Sequence, residues 1–278
     1  MPTFLPNTAI EILNDSKLRG QIRFALFDFD GTISTFRAGW QVVMTEMMLE
    51  KLLPTPQCEP LEMLETLVRD TIDFSTGKQT IYQMIALEDM VRERGGDALP
   101  AKEYKAEFNT RLLAYIAHRL QSVRSGEIPR EEMIVPGALK VLDALKKRGI
   151  RCYLASGTDQ PYVEEEASIL GVTDYFDGIY GAQVDYQSFS KRQVIERLIK
   201  ENHLQGAELV GFGDGFVEIE ELVAVGGIAI GVASKEHNWS GPDAWKRDRL
   251  IRAGADYIIP DYRDHETLIQ YLFPKEPA

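Results

Sequence analysis

The sequence has few of the features that mark secreted, membrane-bound or metal-clustered proteins. It contains only two cysteines among 278 residues, and Cys58 and Cys152 lie far apart with no metal-binding or redox spacing. No apolar run approaches the about 20 residues that cross a bilayer, and the first residues lack the basic and apolar regions of a signal peptide. We therefore expect a cytoplasmic protein with ordinary free thiols and no membrane partner.

Basic residues are also scarce compared with acidic ones. The chain has 31 Lys and Arg against 43 Asp and Glu, a net charge of −12, whereas nucleic-acid binding needs clustered cations to neutralise phosphates. We therefore expect no nucleic acid partner, and any anionic substrate needs a local cation or metal ion. The four histidines are scattered, so the sequence predicts neither a zinc site nor a serine-type triad.

One apolar run ends abruptly in two acids. Residues 24–27 are followed by Asp28, Phe29 and Asp30, and then by Gly31. Such a run is typical of a buried strand, and α/β proteins bind ligands beyond the carboxyl ends of their strands. One carboxylate can attack a substrate while the other transfers a proton, although acids in this position also cap turns.

The rest of the chain falls into two parts with different periodicity. Residues 34–135 carry apolar residues at helical spacing in about four segments, whereas residues 136–278 alternate strand-like and helix-like segments. We predict an α/β fold with a three-layer, Rossmann-like core of residues 1–33 and 136–278 around a parallel sheet. An all-helical domain is predicted as an insertion at residues 34–135, and a short amphipathic helix at residues 7–19.

Three later segments place polar residues at predicted strand ends or helix starts. Ser156 and Gly157 follow a strand and offer a hydroxyl and N–H groups to an anion, although the same residues also form ordinary turns. Lys191 opens a helix, where a cation opposes the helix dipole and is better explained by a nearby anion, although solvated lysines are common. Asp214 and Glu218 follow a glycine-rich strand end, and carboxylate oxygens of this kind suit Mg²⁺.

In this order, the four segments resemble the sequence motifs of the haloacid dehalogenase-like superfamily. The chain is similar in particular to the superfamily's phosphatases with a helical cap after the first strand, such as phosphoglycolate phosphatase and beta-phosphoglucomutase-like members. The resemblance covers nearly the whole chain: residues 28–32 look like the first motif, Ser156 the second, Lys191 the third, and Asp214 with Glu218 the fourth.

The resemblance implies a catalytic role for five of these residues. Asp28 is the expected nucleophile and Asp30 the expected general acid and base. Ser156, Gly157 and Lys191 are expected to hold the phosphoryl group during its transfer. The presence of the second acid favours phosphate esters over halides, because the superfamily's dehalogenases lack it.

A magnesium site is also implied by the resemblance. Asp28, the backbone carbonyl of Asp30, and Asp214 are the expected ligands of Mg²⁺. Glu218 stands where an aspartate is common in the family, which leaves open whether it binds the metal directly or through water. From its position alone, Glu218 is better suited to support the direct ligands than to be one of them.

The predicted helical cap is expected to select the substrate. Arg37 and Trp40, just beyond the first connection, are candidates to face the cleft, and so is Lys78 in the loop 75–79. Exposed charge and packing of the cap on the core are equally good explanations for these three residues. Hinges are expected near residues 33–34 and 135–136, where the cap would open and close.

The sequence therefore predicts a Mg²⁺-dependent phosphatase that acts on a small phosphorylated metabolite, for which a sugar phosphate is one candidate. The reaction is expected to pass through an aspartyl-phosphate. A phosphomutase on the same scaffold is the alternative, and a non-catalytic binding protein is the second alternative. A monomer is expected.

Overall fold

The core of the protein is a sheet of eight strands, seen in a computed structural model that describes residues 2–274. The strands span Thr3–Phe4 (β1), Glu11–Ile12 (β2), Phe24–Phe27 (β3), Arg151–Asp159 (β4), Gly178–Ala182 (β5), Leu209–Gly213 (β6), Ile228–Val232 (β7) and Tyr257–Ile259 (β8). Their order across the sheet is β1-β2-β8-β7-β6-β3-β4-β5. Strands β3 to β8 run parallel, which confirms the predicted α/β class.

Strand β3 occupies the middle of the sheet, between β4 and β6. Its four residues are all buried, and successive side chains point to opposite faces of a strand. Phe24 and Leu26 pack in one apolar cluster, whereas Ala25 and Phe27 pack in another. The strand is therefore covered on both faces, and Asp28 is the first polar side chain that follows it.

Helices cover both faces of the sheet and form a separate bundle. Within the described residues the α-helices are Trp40–Leu52 (α1), Leu61–Ser75 (α2), Thr80–Glu93 (α3), Ala101–Ser125 (α4), Ala138–Lys147 (α5), Gln160–Ile169 (α6), Lys191–Asn202 (α7), Phe216–Ala224 (α8), Ala244–Arg252 (α9) and His265–Leu272 (α10). Helices α5, α6 and α10 pack on one face of the sheet, and α7, α8 and α9 pack on the other. This is the predicted three-layer arrangement. In the same part of the chain, no helix has both the length and the apolar character to cross a membrane.

Helices α1 to α4 pack around a hydrophobic cluster of their own. Met44, Met47 and Met48 are fully buried in this cluster, where their flexible side chains fill the space between helices. The predicted all-helical insertion is therefore present. The division of the chain into two domains stays a prediction, and residues 1 and 275–278 of the predicted core lie outside the described range.

Two connections join the helical bundle to the sheet, and they run side by side. Ser34 forms an isolated bridge with Ile134, and the Val135 N–H donates to the Ile33 carbonyl oxygen at 2.9 Å. The two predicted hinge positions are thus adjacent in space.

The helix predicted at residues 7–19 is wrong. Asn7 has a φ of 59°, which a right-handed helix does not accommodate, and strand β2 pairs antiparallel with β8 at the edge of the sheet. Glu11 is buried there and forms an ion pair with Arg247, with 2.6 Å between Oε1 and Nη2. Backbone pairing at the sheet edge therefore outweighs the amphipathic pattern of this segment.

Candidate active site

The parallel sheet brings the predicted polar segments to one edge. Strands β3, β4 and β6 are neighbours in register, so their carboxyl ends lie side by side and present Asp28, Ser156 and Asp214 together. The Asp28 N–H still donates to the Phe212 carbonyl oxygen at 2.9 Å, which fixes the backbone of the acid at the end of the sheet. Strand β4 continues to Asp159 with a shift of register after Ala155, whereas the sequence predicted its end at Ala155.

A single cavity collects nearly all the predicted site residues. Its lining includes nine of them: Asp28, Asp30, Arg37, Trp40, Lys78, Ser156, Gly157, Lys191 and Asp214. Glu218 is the exception, because it is buried behind Lys191. The cavity lies between the edge of the sheet and the helical bundle, so the structure brings these distant segments together, and the roles of their residues stay predictions.

Lys191 connects two buried acids at the base of the cavity. Its Nζ lies 2.8 Å from Asp28 Oδ1 and 2.9 Å from Glu218 Oε2. Burial alone would lower the pKa of Lys191, but the charges of Asp28 and Glu218 raise it, so the ammonium stays charged. Burial raises the pKa of Asp28, Lys191 lowers it, and the charges of Glu218 and Asp214 raise it further.

Three carboxylates of this group are placed to hold a cation. Asp28, Asp214 and Glu218 each offer an oxygen, and these atoms all lie within 4.8 Å of one another. Hard oxygen ligands at this spacing suit Mg²⁺. A divalent cation would also favour the ionised form of Asp28, which its burial and acidic neighbours oppose. The residues present therefore fit the predicted metal.

A second buried lysine holds Asp214 from the other side. Lys246 Nζ lies 2.7 Å from Asp214 Oδ2 and 2.6 Å from Glu236 Oε1, and it donates to Ser234 Oγ at 2.9 Å. Ser234 in turn donates to the Gly31 carbonyl oxygen at 2.6 Å. All three N–H bonds of the ammonium thus have acceptors, and the network ties helix α9 to the backbone that follows Asp30.

Asp30 has a different environment from Asp28. The Thr158 hydroxyl donates to Asp30 Oδ2 at 2.9 Å, and Ser156 Oγ lies 3.3 Å from the same oxygen. Burial raises the pKa of Asp30, and Arg37, at 3.9 Å from Oδ1, lowers it only in part. The Oδ1 atom is buried without a hydrogen-bond partner in residues 2–274. A raised pKa and a free oxygen suit this carboxyl to proton transfer.

Arg37 is held in the cavity wall by a buried acid from the core. Its Nη2 lies 2.6 Å from Glu166 Oε1 and its Nε lies 3.0 Å from the same oxygen. Both residues are more than nine-tenths buried. Burial raises the pKa of Glu166 to about 7 despite the opposing charge of Arg37. Arg37 thus lies in the lining of the cleft, one of the two positions that the sequence left open, and Glu166 engages its Nε and Nη2 donors.

The loop between α2 and α3 closes over the phosphate-binding segment predicted at Ser156 and Gly157. A Cβ atom on Gly157 would lie 3.1 Å from the Lys78 carbonyl oxygen, so glycine allows this close approach. The Gln79 side chain donates to the carbonyl oxygens of Tyr186 and Phe189 at 3.1 and 2.7 Å. The bundle is therefore docked on the core across the mouth of the cavity.

Sequence reasoning missed several residues that shape this site, namely Gln83, Thr158, Glu166, Ser234, Glu236 and Lys246. Thr158 could have been predicted, because it stands two residues after Ser156 and carries a hydroxyl. Glu166 is the third of three consecutive acids, a pattern that predicts a solvated helix face. Lys246 lies in a helix rich in charged residues, where nothing in the sequence separates a buried lysine from exposed ones.

Comparison with known proteins places the chain in a family. The family model described as a haloacid dehalogenase-like hydrolase matches residues 22–226, whereas a search of curated proteins gives no match. Solved structures share the fold at low identity. A predicted phosphoglycolate phosphatase from Haemophilus somnus is 18% identical with a TM-score of 0.59, covering 90% of this chain and 99% of the other.

Two further structures show the same fold. CbbY from Rhodobacter sphaeroides, in complex with xylulose-1,5-bisphosphate, is 19% identical with a TM-score of 0.59 and covers 87% of this chain and 95% of its own. A beta-phosphoglucomutase from Clostridium difficile is 14% identical with a TM-score of 0.58 and covers 90% of this chain and 97% of its own. The family match spans most of the chain and includes every predicted motif. The protein therefore belongs to the haloacid dehalogenase-like hydrolase family and is an enzyme of the hydrolase class.

Proposed function

We propose that the protein is a Mg²⁺-dependent phosphatase that hydrolyses a small phosphorylated metabolite through an aspartyl-phosphate on Asp28. The observation that carries this proposal is the contrast between two acids in one cavity. Asp28 is paired with the ammonium of Lys191 at 2.8 Å, whereas Asp30 accepts a hydrogen bond from the Thr158 hydroxyl on one oxygen and has no hydrogen-bond partner for the other within residues 2–274. Environments that separate two carboxyls in this way suit one for attack and the other for proton transfer.

The reaction would proceed in two steps that share these acids. An oxygen of ionised Asp28 attacks phosphorus, the bond from phosphorus to the ester oxygen breaks, and Asp30 gives its proton to the departing alkoxide. Asp30 then takes a proton from water as the water oxygen attacks the same phosphorus. The bond between phosphorus and Asp28 breaks, which releases inorganic phosphate and restores both acids.

Charge on the transferring group would be balanced by residues at the base of the cavity. Lys191 is positioned beside Asp28, and Ser156 and Gly157 line the same wall. A bound Mg²⁺ would neutralise phosphate oxygens and lower the pKa of Asp28; the residues that would hold it are Asp28, the Asp30 carbonyl and Asp214, with Glu218 behind them. Lys191 also holds Glu218, which favours a supporting role for that acid.

Residues 34–135 would act as a cap that closes over the substrate and excludes bulk water. The contacts of Gln79 and the approach of Lys78 to Gly157 support a closed arrangement. The adjacent connections at Ser34 and Ile134 would be the hinge.

A phosphomutase is the alternative, since a beta-phosphoglucomutase is among the structural neighbours. Such a reaction needs a second phosphate site opposite the first. Among the described residues that line the cavity, Lys78 is the one cation without a carboxylate partner within ion-pair distance. This scarcity of available cations favours hydrolysis over transfer within a bisphosphate.

Release of inorganic phosphate from a nitrophenyl phosphate tests the proposal. We expect turnover by purified protein in Mg²⁺, loss of turnover in a chelator, and recovery when Mg²⁺ is restored. Isomer interconversion that requires a bisphosphate activator, with little net phosphate release, would instead favour the phosphomutase. Failure to turn over any ester in Mg²⁺ would favour the non-catalytic alternative.

A further inference from the structure

The helical side of the cavity contains a buried glutamine without a partner. Gln83, on α3, lines the same cavity as Asp28 and Lys191 and is 3% exposed. Its side-chain amide has no hydrogen-bond partner in residues 2–274, and its polar atoms are not sealed from the cavity. An amide that opens on the cavity and makes no hydrogen bond to the protein has its donors and its acceptor available to a group that occupies the cavity.

Gln83 belongs to a part of the cavity lining that is mainly neutral. Besides Arg37 and Lys78, the inserted segment contributes apolar and hydrogen-bonding side chains, among them Trp40, Gln41, Thr80, Phe108 and Leu112. No side-chain hydrogen bond of Gln41 or Thr80 is formed within the part of the chain that the structure describes. This wall therefore offers neutral donors and acceptors beside apolar surface.

The two cations on the same wall, Arg37 and Lys78, contact other side chains of the protein. Arg37 is engaged by Glu166, and the Lys78 ammonium lies 4.2 Å from the centroid of the Phe74 ring and 5.8 Å from that of Phe216. A cation over an aromatic face is attracted by the ring. The wall around Gln83 therefore suits a neutral group better than a second anion.

We propose that Gln83 determines substrate specificity by hydrogen bonding to a hydroxyl or carbonyl oxygen of the substrate's organic part. The substrate class is a small phosphate monoester whose organic part is uncharged and hydroxylated. This inference rests on the proposed phosphatase function and deepens it. Gln83 is assigned to recognition of the leaving group and takes no part in the bond-breaking steps.

The test compares two esters that differ in their hydroxyl groups, glycerol phosphate and propyl phosphate. We expect the wild type to have a kcat/KM for glycerol phosphate about tenfold higher than for propyl phosphate. Gln83→Met keeps the length of the side chain but removes its amide, and it should reduce this preference to less than about twofold by affecting glycerol phosphate alone. Gln121→Met, at an exposed position on α4, is the matched control and should leave the preference unchanged.

Thermal unfolding without substrate separates recognition from a structural role. The midpoint of Gln83→Met should equal that of the wild type, because the amide makes no hydrogen bond to the protein that the variant would lose. Gln83→Leu provides a second apolar replacement with the same expectation. A lowered midpoint with an unchanged ester preference would overturn the proposal, and so would an equal loss of activity toward both esters.

Two more measurements keep this inference separate from the proposed function. Phosphoglycolate replaces the hydroxyls by a carboxylate; if it is the preferred ester and Gln83→Met leaves that preference intact, the proposal is overturned. If no ester is hydrolysed, the proposed function fails. Calorimetry of ester binding to the wild type and to Gln83→Met then tests the role of Gln83 directly. Glycerol phosphate should bind about tenfold more tightly than propyl phosphate to the wild type, and about equally to Gln83→Met; equal binding to the wild type would overturn the inference.

Discussion

Lys246 and Asp214 form a buried ion pair, with 2.7 Å between Nζ and Oδ2. The same ammonium contacts Glu236 at 2.6 Å and Ser234 at 2.9 Å. Burial alone would lower the pKa of Lys246, but Asp214 and Glu236 raise it, so the lysine is a fixed positive charge beside the candidate metal ligands. Helix α9 thereby determines where one oxygen of Asp214 lies.

Replacing this lysine should destabilise the protein in a way that metal can offset. In Lys246→Met, Asp214 and Glu236 lose their shared cation, and breaking a buried pair by removing one partner costs about 3–5 kcal/mol. Mg²⁺ should recover part of this loss, because a divalent cation can replace the missing charge. The free energy of unfolding, measured with and without Mg²⁺, should therefore respond more to metal in the variant than in the wild type.

Lys102→Met, at an exposed position on α4, controls for the loss of a lysine as such. It should change the free energy of unfolding little, and its response to Mg²⁺ should match that of the wild type. An equal response to Mg²⁺ in Lys246→Met and the wild type would contradict the assignment of Lys246 as a cation beside the metal site.

Gly31 offers a test of how closely Asp214 is packed against the backbone after Asp30. Its φ is 72°, and an added Cβ would lie 2.2 Å from Asp214 Oδ2. Gly31→Ala should therefore displace Asp214, in addition to the about 1–2 kcal/mol that a side chain costs in the left-handed region. We expect phosphatase activity to fall by at least about tenfold, measured as kcat/KM at saturating Mg²⁺.

Gly149 provides a matched control for this substitution. Its φ is 71°, but an added Cβ would meet nothing within 4 Å. Gly149→Ala should lose a similar free energy of unfolding while its kcat/KM stays near that of the wild type. Equal losses of activity in the two variants would mean that strain in the backbone, and not displacement of Asp214, explains the effect.

Glu166 should make stability depend on pH. Burial raises its pKa to about 7 in the folded protein, compared with an ordinary value of 4.5. Between these two values the folded state binds more protons than the unfolded state, so the free energy of unfolding falls as pH rises from about 4.5 to about 7. The shift in the pKa of Glu166 corresponds to a loss of at most about 3 kcal/mol in the free energy of unfolding.

Chemical denaturation at about pH 5 and about pH 8 measures this contribution. Glu166→Gln cannot titrate, so it should lose less stability than the wild type over this interval. Glu165→Gln is the neighbouring control, because Glu165 is exposed beside Arg124. In this variant the free energy of unfolding should depend on pH as it does in the wild type. If Glu166→Gln also showed the pH dependence of the wild type, Glu166 would be ionised beside Arg37 throughout this interval.

Local sequence signals were sufficient for most of the fold. The apolar pattern predicts helices at residues 138–147 and 191–202 and strands at residues 228–232 and 257–259, and these are the bounds of α5, α7, β7 and β8. Each combines a clear apolar period with a turn residue at its ends. The segment 7–19 has a similar helical period, yet its backbone pairs with β8. Such pairing depends on a strand more than two hundred residues away in sequence, and a local pattern contains no information about it.

The candidate site was predictable where an acid or hydroxyl directly follows an apolar strand, as at Asp28, Ser156 and Asp214. The partners of those residues were not. Lys246 reaches Asp214 only because α9 packs over the carboxyl end of β7, and Glu166 reaches Arg37 only because the helical bundle docks on α6. Each of these ion pairs joins elements that are distant in sequence, so their charges looked like ordinary surface charges.

The most direct test of the central claim is phosphate release from a nitrophenyl phosphate in Mg²⁺ by Asp28→Asn. The amide keeps the size of the side chain but cannot attack phosphorus as a carboxylate does. Asp97→Asn, at an exposed loop position, is the control. We predict that Asp28→Asn folds but loses all measurable turnover while Asp97→Asn retains it. Turnover by Asp28→Asn at a rate near that of the wild type would contradict the assignment of Asp28 as the nucleophile.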